Sequence, residues 1–326
     1  MSKQKILQVL EQQKGSYVSG EELAGMLGLS RAAVWKSIRS LKEEGYHINS
    51  KTGSGYYLDE STDALLESKI RANLHTQRLG SPLTIYKTVD STNIRLRTAA
   101  YDGAPEGAVL IADEQTAGKG RLGRSFYSPK HNGIYMSVLL RPELPFDKIH
   151  FLTMLSAVCV VEAIQTVTGL VPQIKWVNDI LLDGKKLCGI LSEATVEGES
   201  GKLNFVVVGI GVNIGSTRQF PALQGNVPGA LGDFSSAEFS RCTLIAEILN
   251  NLEKYYYPYI ETQDNSAFLY KYKKCLCLLG KPITVVQGSK TYPATAVDLT
   301  PEGGLLVRTE SGEFTELTSG EVSIRL

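Results

Sequence analysis

Residues 118–124 read Gly-Lys-Gly-Arg-Leu-Gly-Arg. Three glycines and three cations share seven positions, and no helix or strand interior tolerates that glycine density, because each glycine brings extra backbone entropy to be lost on ordering. The stretch is therefore a loop between separate elements. Its backbone N–H groups can curl around an anion while Lys119, Arg121 and Arg124 neutralise it, so it reads as a clamp for a phosphate or carboxylate. With Leu122 as its one apolar anchor, the loop is expected to order around that anion.

The remainder of the 326-residue chain is long enough for two or three domains, and its 43% apolar content supports real cores rather than disorder. Thirty-four basic residues balance 34 acidic ones, so any attraction to nucleic acid must come from a local patch. The opening residues interrupt their apolar positions with Lys, Gln and Glu, unlike a signal peptide. The longest apolar runs, such as 205–212, look too short to span a bilayer, and no membrane partner is expected. Cys159, Cys188, Cys242, Cys275 and Cys277 sit in or beside apolar segments without the spacing of a metal site, and read as reduced packing residues of a cytoplasmic protein.

Three regions separate by pattern. In the first 60 residues, Ile6, Leu7, Val9 and Leu10 mark a short amphipathic helix. Ser19, with Glu22 as capping-box partner, opens a second helix that Gly28 ends. Ser30 caps a third helix with Val34, Ile38 and Leu41 inward. Arg31, Trp35, Lys36 and Arg39 lie on its outer face. After Gly45, residues 46–51 and 55–58 read as a hairpin around Thr52-Gly53-Ser54. Taken singly, the basic face could be merely solvated and Trp35 could be core. The helix pair, the basic face and the hairpin wing together point to DNA binding. Residues 60–63 are a polar linker.

The middle region alternates strands (84–88, 108–114, 133–141, 180–182, 187–193, 205–214) with helices, the clearest at 151–168 and 240–257. It reads as a mixed α+β sheet with helices on one side. The last 50 residues show five short strands (283–286, 292–299, 304–309, 313–317, 322–326), read as a small SH3-like β-barrel. The expected domains are thus 1–62, 63–275 and 276–326.

Polar clusters punctuate the middle region where a plain core would be apolar: Ser91-Thr92-Asn93, Gln115 with the cationic loop, Lys175-Trp176-Val177-Asn178-Asp179, Gly184-Lys185-Lys186 and Asn213. Each has an ordinary alternative. Ser91 could simply cap a helix, which is the favoured reading of that triplet alone; Asn178 could make an Asx turn; Trp176 could be core; Lys185-Lys186 could be an exposed turn. The ordered set of STN, GKGRLGR, KWVND, GKKLCGIL and GIGVN, behind a winged helix and before a small barrel, resembles the biotin–protein ligases, in particular the bifunctional ligase and biotin operon repressor type. The resemblance covers essentially the whole chain.

That resemblance implies a role for each matching residue. Ser91, Thr92, Asn93 and Gln115 would line the biotin pocket, and Lys119, Gly120 and Arg121 would close over biotin and its adenylate. Lys186 would meet the biotin carboxylate and the α-phosphate, making it and Arg121 the catalytic pair. Gly118, Arg124, Trp176, Asn178 and Asn213 would serve the nucleotide, and Ser30, Arg31, Trp35, Lys36 and Arg39 the DNA. The substrates would be biotin and ATP, with Mg²⁺ accompanying the nucleotide rather than a protein metal site. The acceptor would be the biotin carboxyl carrier protein of acetyl-CoA carboxylase or pyruvate carboxylase, and the adenylate-bound form a homodimer on operator DNA. Lys119 stands where the family has arginine, which keeps the charge and loses the bidentate fork; Val177 stands where it has proline. Rival readings are a lipoate–protein ligase, a ligand-sensing repressor without enzymatic activity, and a ligase with a vestigial DNA module.

Overall fold

The computed structural model describes residues 2–43, 46–59, 63–196, 203–221, 227–235, 239–287, 290–318 and 321–324. Gly45, the linker apart from Asp63, and the last two residues of the fifth C-terminal strand lie outside the described residues. The chain divides into two compact units, Met1–Leu66 and Glu67–Leu326.

The first unit contains α1 (Ser2–Gln12), α2 (Gly20–Leu27), α3 (Arg31–Glu43), β1 (Ile48–Lys51) and β2 (Gly55–Leu58). The predicted capping box is formed: Glu22 N–H donates to Ser19 Oγ at 3.1 Å and Ser19 N–H to Glu22 Oε2 at 2.8 Å. Gly28 ends α2 at φ 62°, a conformation that favours glycine. Ser30 Oγ accepts from Ala33 N–H at 3.2 Å, which starts α3. Ile6, Leu10, Leu23, Val34, Ile38 and Leu41 bury together with Ile48 and Leu58 of the hairpin. Val18 and Tyr56 exchange two backbone hydrogen bonds of 2.8 Å. Gly55 makes that approach possible, since at φ 108° its Cβ would lie 2.1 Å from Val18 O.

The second unit continues with α4 (Glu67–Asn73), β3 (Leu83–Val89), α5 (Thr92–Tyr101), β4 (Val109–Gln115), β5 (Gly133–Leu140), α6 (His150–Thr168), β6 (Gln173–Lys175), β7 (Asp179–Leu182), β8 (Lys185–Val196), β9 (Leu203–Asn213), α7 (Arg241–Thr262) and α8 (Ser266–Cys275). The strands form one seven-stranded mixed sheet in the order β3-β4-β5-β9-β8-β7-β6. β3 and β4 run parallel, joined through α5, and the other neighbours pair antiparallel. The long helices α6 and α7 pack together. Ser192 Oγ lies 2.8 Å from Thr153 Oγ1 of α6, whereas the next residue, Glu193, accepts from Asn93 of α5. Successive strand side chains face opposite ways, so α5 lies on the face opposite α6.

Three expectations are corrected here. The helices were expected on one side of the central sheet, but α5 packs on the face opposite α6. Apolar runs read from the sequence looked too short for a bilayer, yet the helical stretch Phe146–Thr168 is long and apolar enough to cross one by length and composition. In this fold its apolarity is accounted for by burial, which is complete or nearly so from Phe151 to Val161. The helix expected over 240–257 runs on to Thr262 through Pro258. A proline inside a helix forfeits one hydrogen bond, but the last turn is anchored by Tyr259, which is buried with its ring 5.9 Å from Phe151 and 5.3 Å from Phe268.

The C-terminal strands β10 (Pro282–Gln287), β11 (Lys290–Leu299), β12 (Leu305–Thr309), β13 (Phe314–Leu317) and β14 (Glu321–Ile324) form a five-stranded antiparallel sheet in the order β13-β12-β11-β10-β14. Its turn at Gly303 docks on the rest of the unit. Trp176 Nε1–H donates to Gly303 O at 3.1 Å, and a His150 ring nitrogen lies 2.7 Å from Glu302 O. All five cysteines are free, four of them buried, which fits their reading as packing residues.

Candidate functional site

A bare patch of backbone forms the floor of the site. Gly209 and Gly211 of β9 alternate along the strand, so they share a face, and Gly189 of β8 pairs directly with Gly211. Three neighbours stand where side chains would have been. A Cβ on Gly209 would lie 2.2 Å from Asn93 Oδ1, one on Gly211 2.6 Å from the Phe126 ring, and one on Gly189 3.3 Å from Lys186 Cε. Glycine in a strand interior weakens the strand and marks a close approach; here it admits an amide, a phenyl ring and an ammonium over one stretch of sheet.

The polar end of this floor comes from the β3–α5 turn. Ser91, Thr92 and Asn93 are all buried. Ser91 occupies the N-cap position of α5 but makes no side-chain capping bond, so the simple cap reading of the triplet is corrected. Gln115 Oε1 accepts from Thr92 N–H at 2.8 Å, and Gln115 Nε2 donates to Ser128 Oγ at 2.9 Å. Thr92 Oγ1 stands 3.1 Å from Gln115 Oε1 and 2.8 Å from Ser137 Oγ. Ser137 Oγ is 2.6 Å from Asn93 Oδ1, and Asn93 Nδ2 donates to Glu193 Oε2 at 2.7 Å.

The cationic end comes from the glycine-rich loop and the β7–β8 hairpin. The loop folds back on itself: Gly120 N–H donates to Arg124 O at 2.7 Å and Phe126 N–H to Gly118 O at 2.8 Å. Lys119 pairs with Ser125 in an isolated antiparallel bridge. Gly118 has no room for a side chain, since its Cβ would sit 2.4 Å from Phe126 O. Leu122 adopts φ 55° and is 76% exposed; it anchors nothing within the unit. The side chains of Lys119 and Arg124 are also exposed, whereas Arg121 reaches inward and donates to Asn178 Oδ1 at 2.9 Å. Lys186 Nζ lies 2.6 Å from Asp179 Oδ1. Asn178 and Asp179, adjacent at the start of β7, thus hold the two cations. Asn178 is itself fixed by donating to Ile190 O at 3.0 Å. Asn213 is buried and donates to Gly229 O at 2.9 Å, pinning residues 227–229 along Lys186.

Trp176 is the residue whose expected role the geometry does not support. It is only 4% exposed and its N–H is spent on Gly303 O, so it secures the C-terminal sheet rather than presenting a surface to a nucleotide. The peptide between Trp176 and Val177 is cis, and Val177 O accepts from Tyr272 of α8 at 3.0 Å. Behind the sheet, the fully buried Arg241 donates to Asp113 Oδ1 at 2.8 Å and to Gly133 O at 3.0 Å, while His131 lies 2.7 Å from Asp113 Oδ2. Burial pushes the Asp113 carboxyl up, but the bond from His131 and the charge of Arg241 outweigh it and hold it below the usual value.

The sequence reading missed Phe126, Ser128, Ser137 and Glu193, and it assigned no role to Asp179 or to the three glycines of the floor, which it met only within motifs. The glycines had a visible signal, two of them at alternate positions inside the apolar strand 206–212 and a third beyond Lys186. The buried serines had none.

In the first unit, Arg31, Trp35, Lys36 and Arg39 are exposed along α3, as is Ser30 at its cap. Trp35 is 56% exposed, which excludes the core reading for it. The Arg39 guanidinium lies 5.8 Å from the Trp35 ring centre and its Nε donates to Glu43 at 2.9 Å.

Residues 85–213 match the biotin/lipoate A/B protein ligase family, residues 2–57 an HTH domain and residues 278–325 the biotin protein ligase C terminal domain. The bifunctional ligase/repressor BirA of Bacillus spizizenii is 34% identical over 308 residues, 94% of each chain. BirA of Escherichia coli is 28% identical over 311 residues, 95% of this chain and 94% of its own. Among solved structures, the biotin protein ligase from Aquifex aeolicus in complex with biotin and ATP superposes with a TM-score of 0.65 at 30% identity, covering 74% of this chain and 98% of that one. A relative similar across nearly the whole length, with the three matched regions in the same order as the helical unit, the glycine-floored sheet and the terminal sheet, means that the chain belongs to the bifunctional biotin ligase/repressor family.

Proposed function

We propose that this protein activates biotin with ATP to biotinyl-5′-adenylate and transfers the biotinyl group to one lysine of a biotin carboxyl carrier protein. The observation that carries this reading is the placement of Arg121 and Lys186 at one end of a glycine floor whose other end is the polar Thr92–Gln115 network. A polar head group suits the network, and an anionic tail suits the cations.

In the first step a biotin carboxylate oxygen attacks the α-phosphorus, and the bond to the β-phosphate oxygen breaks to release pyrophosphate. Two anions must approach, so the barrier is chiefly electrostatic, and preorganised cations lower it. Asp179 and Asn178 keep Lys186 and Arg121 oriented until substrate anions compete for them. Mg²⁺ accompanies ATP as the counter-ion of its phosphates. In the second step the acceptor lysine's amine attacks the acyl carbon, AMP leaves with the bonding pair, and an amide remains. No protein nucleophile is required; positioning and charge neutralisation suffice. Residues 118–124 act as the lid that keeps water from the adenylate. Gly118 shapes that lid, Lys119, Gly120 and Arg124 close it, and Asn178 and Asn213 border the nucleotide. Ser91, Thr92, Asn93 and Gln115 receive biotin.

The helical unit supplies the second activity. Ser30, Arg31, Trp35, Lys36 and Arg39 form the DNA-contacting face of α3, and the adenylate-bound protein pairs as a homodimer so that two such units meet a two-fold operator. We assign residues 1–62 to DNA binding, 63–275 to catalysis and 276–326 to the C-terminal domain of a cytoplasmic enzyme whose acceptor is acetyl-CoA carboxylase or pyruvate carboxylase. The test is direct: the protein is incubated with biotin, Mg-ATP and a carboxyl-carrier domain, and the carrier is weighed by mass spectrometry. A gain of one biotinyl group is expected; an unmodified carrier, with lipoate accepted in biotin's place, would overturn the reading.

A further inference from the structure

We propose that Asn132 is a positioning residue for the nucleotide: its side-chain amide fixes the backbone of residues 214–216, which carries the floor of the site past Lys186 toward the space left for ATP. This rests on the reading of the site as one that joins biotin to ATP.

Gly209, Gly211 and Asn213 alternate along β9 and share one face. The polar network meets the sheet at Gly209, through Asn93, and Lys186 meets it beside Gly211, through the paired Gly189. Asn213 is the next residue on that face, about 7 Å farther along. A ligand with its head group at the network and its carboxylate at Lys186 leaves the stretch from Asn213 onward for the nucleotide. Residues 227–229 border that stretch: Lys186 N–H donates to Val227 O at 2.7 Å and Gly229 N–H to Lys186 O at 2.9 Å.

The β5–β9 ladder ends where Gly133 pairs with Asn213, and Asn132 takes over from there. Its backbone carbonyl accepts from Ile214 N–H at 2.9 Å and from Gly215 N–H at 3.2 Å. Its side chain then does for Ser216 what a facing peptide does in an antiparallel ladder. Oδ1 accepts from Ser216 N–H at 2.9 Å, and Nδ2 donates to Ser216 O at 3.0 Å. The amide adds one more rung after the strand has ended. Gly215 admits it, since a Cβ there would lie 2.0 Å from Asn132 Oδ1. On its other side the segment is tied to residues 230–233. Gly232 N–H donates to Ile214 O at 2.7 Å, and Thr217 Oγ1 to Asp233 Oδ2 at 2.8 Å.

Asn132 is itself firmly set, because the residues on either side of it belong to the ion cluster around Asp113. His131 lies 2.7 Å from the Asp113 carboxylate, and Arg241 donates to Gly133 O at 3.0 Å. Released from Asn132, residues 214–216 must be ordered anew each time a nucleotide binds. That entropy cost falls on ATP and spares biotin, which lies over the paired part of the sheet.

Pyrophosphate release and calorimetric biotin binding by the full chain test this. Asn132→Ala is expected to raise KM for ATP by about 10- to 100-fold and to keep kcat at saturating ATP within about threefold. Its biotin affinity, measured without ATP, is expected to stay within about threefold of wild type. Gly215→Ala, which keeps the amide but pushes it off Ser216, is expected to match Asn132→Ala. In the double variant the new methyl has no Oδ1 to strike, so Asn132→Ala with Gly215→Ala should be no worse than Asn132→Ala alone. A KM for ATP within about threefold of wild type in Asn132→Ala would overturn the inference. So would an equal loss of biotin affinity, which signals general loosening, or two losses that multiply in the double variant. If Gly215→Ala does not fold, the contrast between ATP and biotin in Asn132→Ala still decides. A wild type that binds biotin yet releases no pyrophosphate from ATP would overturn the reading of the site and the inference with it.

Discussion

Replacing Gly209 by alanine would place a methyl carbon 2.2 Å from Asn93 Oδ1 and 2.9 Å from its Cγ. To regain van der Waals separation the amide would have to retreat by about 1 Å, and it has nowhere to go. It is buried, and bonded to Ser137, Glu193 and Leu191. Overpacking of this kind costs about 1–3 kcal/mol, and each buried polar group left unpaired adds about 1–3 kcal/mol, so Gly209→Ala should lose roughly 3–5 kcal/mol of stability. Gly211→Ala makes a useful contrast. Its methyl would meet the edge of the Phe126 ring at 2.6 Å, but Phe126 belongs to a half-exposed loop and can swing aside, so the stability loss should stay below about 1 kcal/mol. Both should reduce biotin-dependent pyrophosphate release by at least about tenfold, because each displaces a residue, Asn93 or Phe126, that packs on the glycine floor of the proposed biotin site. Urea unfolding at neutral pH, alongside a coupled pyrophosphate assay, separates the two effects. If Gly209→Ala unfolds within 1 kcal/mol of wild type and keeps its activity, the close packing of Asn93 on the sheet is not what holds the pocket.

Other substitutions probe other parts of the molecule. Lys186→Ala and Arg121→Ala should each cut pyrophosphate release by orders of magnitude while leaving the urea midpoint nearly unchanged; unaltered release would remove them from the chemistry. Arg241→Met leaves the Asp113 carboxylate with His131 but without its buried cation, and should cost about 3–5 kcal/mol, much of it recovered in the double variant with Asp113→Asn. Because the folded protein holds Asp113 below its usual value, the carboxylate's contribution is complete above about pH 4 and fades as pH falls through the lower folded value. Asp113→Asn should therefore flatten the acid limb of stability against pH, which urea titrations between neutral pH and pH 3 would reveal. Trp35→Ala should weaken operator binding by at least about tenfold in fluorescence anisotropy, and loss of the biotin and ATP dependence of that binding would break the proposed link between adenylate and DNA.

Local rules made much of this chain readable in one dimension. Ser19 with Glu22, Gly28 and Ser30 bound their helices because caps act within three or four residues. The glycine–cation loop declared itself because no regular element accepts its composition. The cations Lys186 and Arg121 stood out for the same reason, as polar residues beside apolar strands. Trp35 and Trp176 were both ambiguous, and burial settled them in opposite directions: one lies open on a helix, the other under a turn of the terminal sheet. The helix expected over 240–257 continues through Pro258 to Thr262 because the proline's local penalty is outweighed by aromatic packing that the linear pattern does not show.

The amino-acid order by itself thus determined where the helices begin, where the backbone must bend, and which residues carry charge to the site. Tertiary structure alone decided what those residues do to one another. Asn93 meets Ser137 across 44 positions and Glu193 across 100, and Gly189 pairs with Gly211 only because β8 and β9 fold back in that register. Hydrogen bonds and van der Waals contacts act over a few ångströms of space whatever the separation along the chain, so the floor of the pocket and its polar network come into being only when the sheet closes.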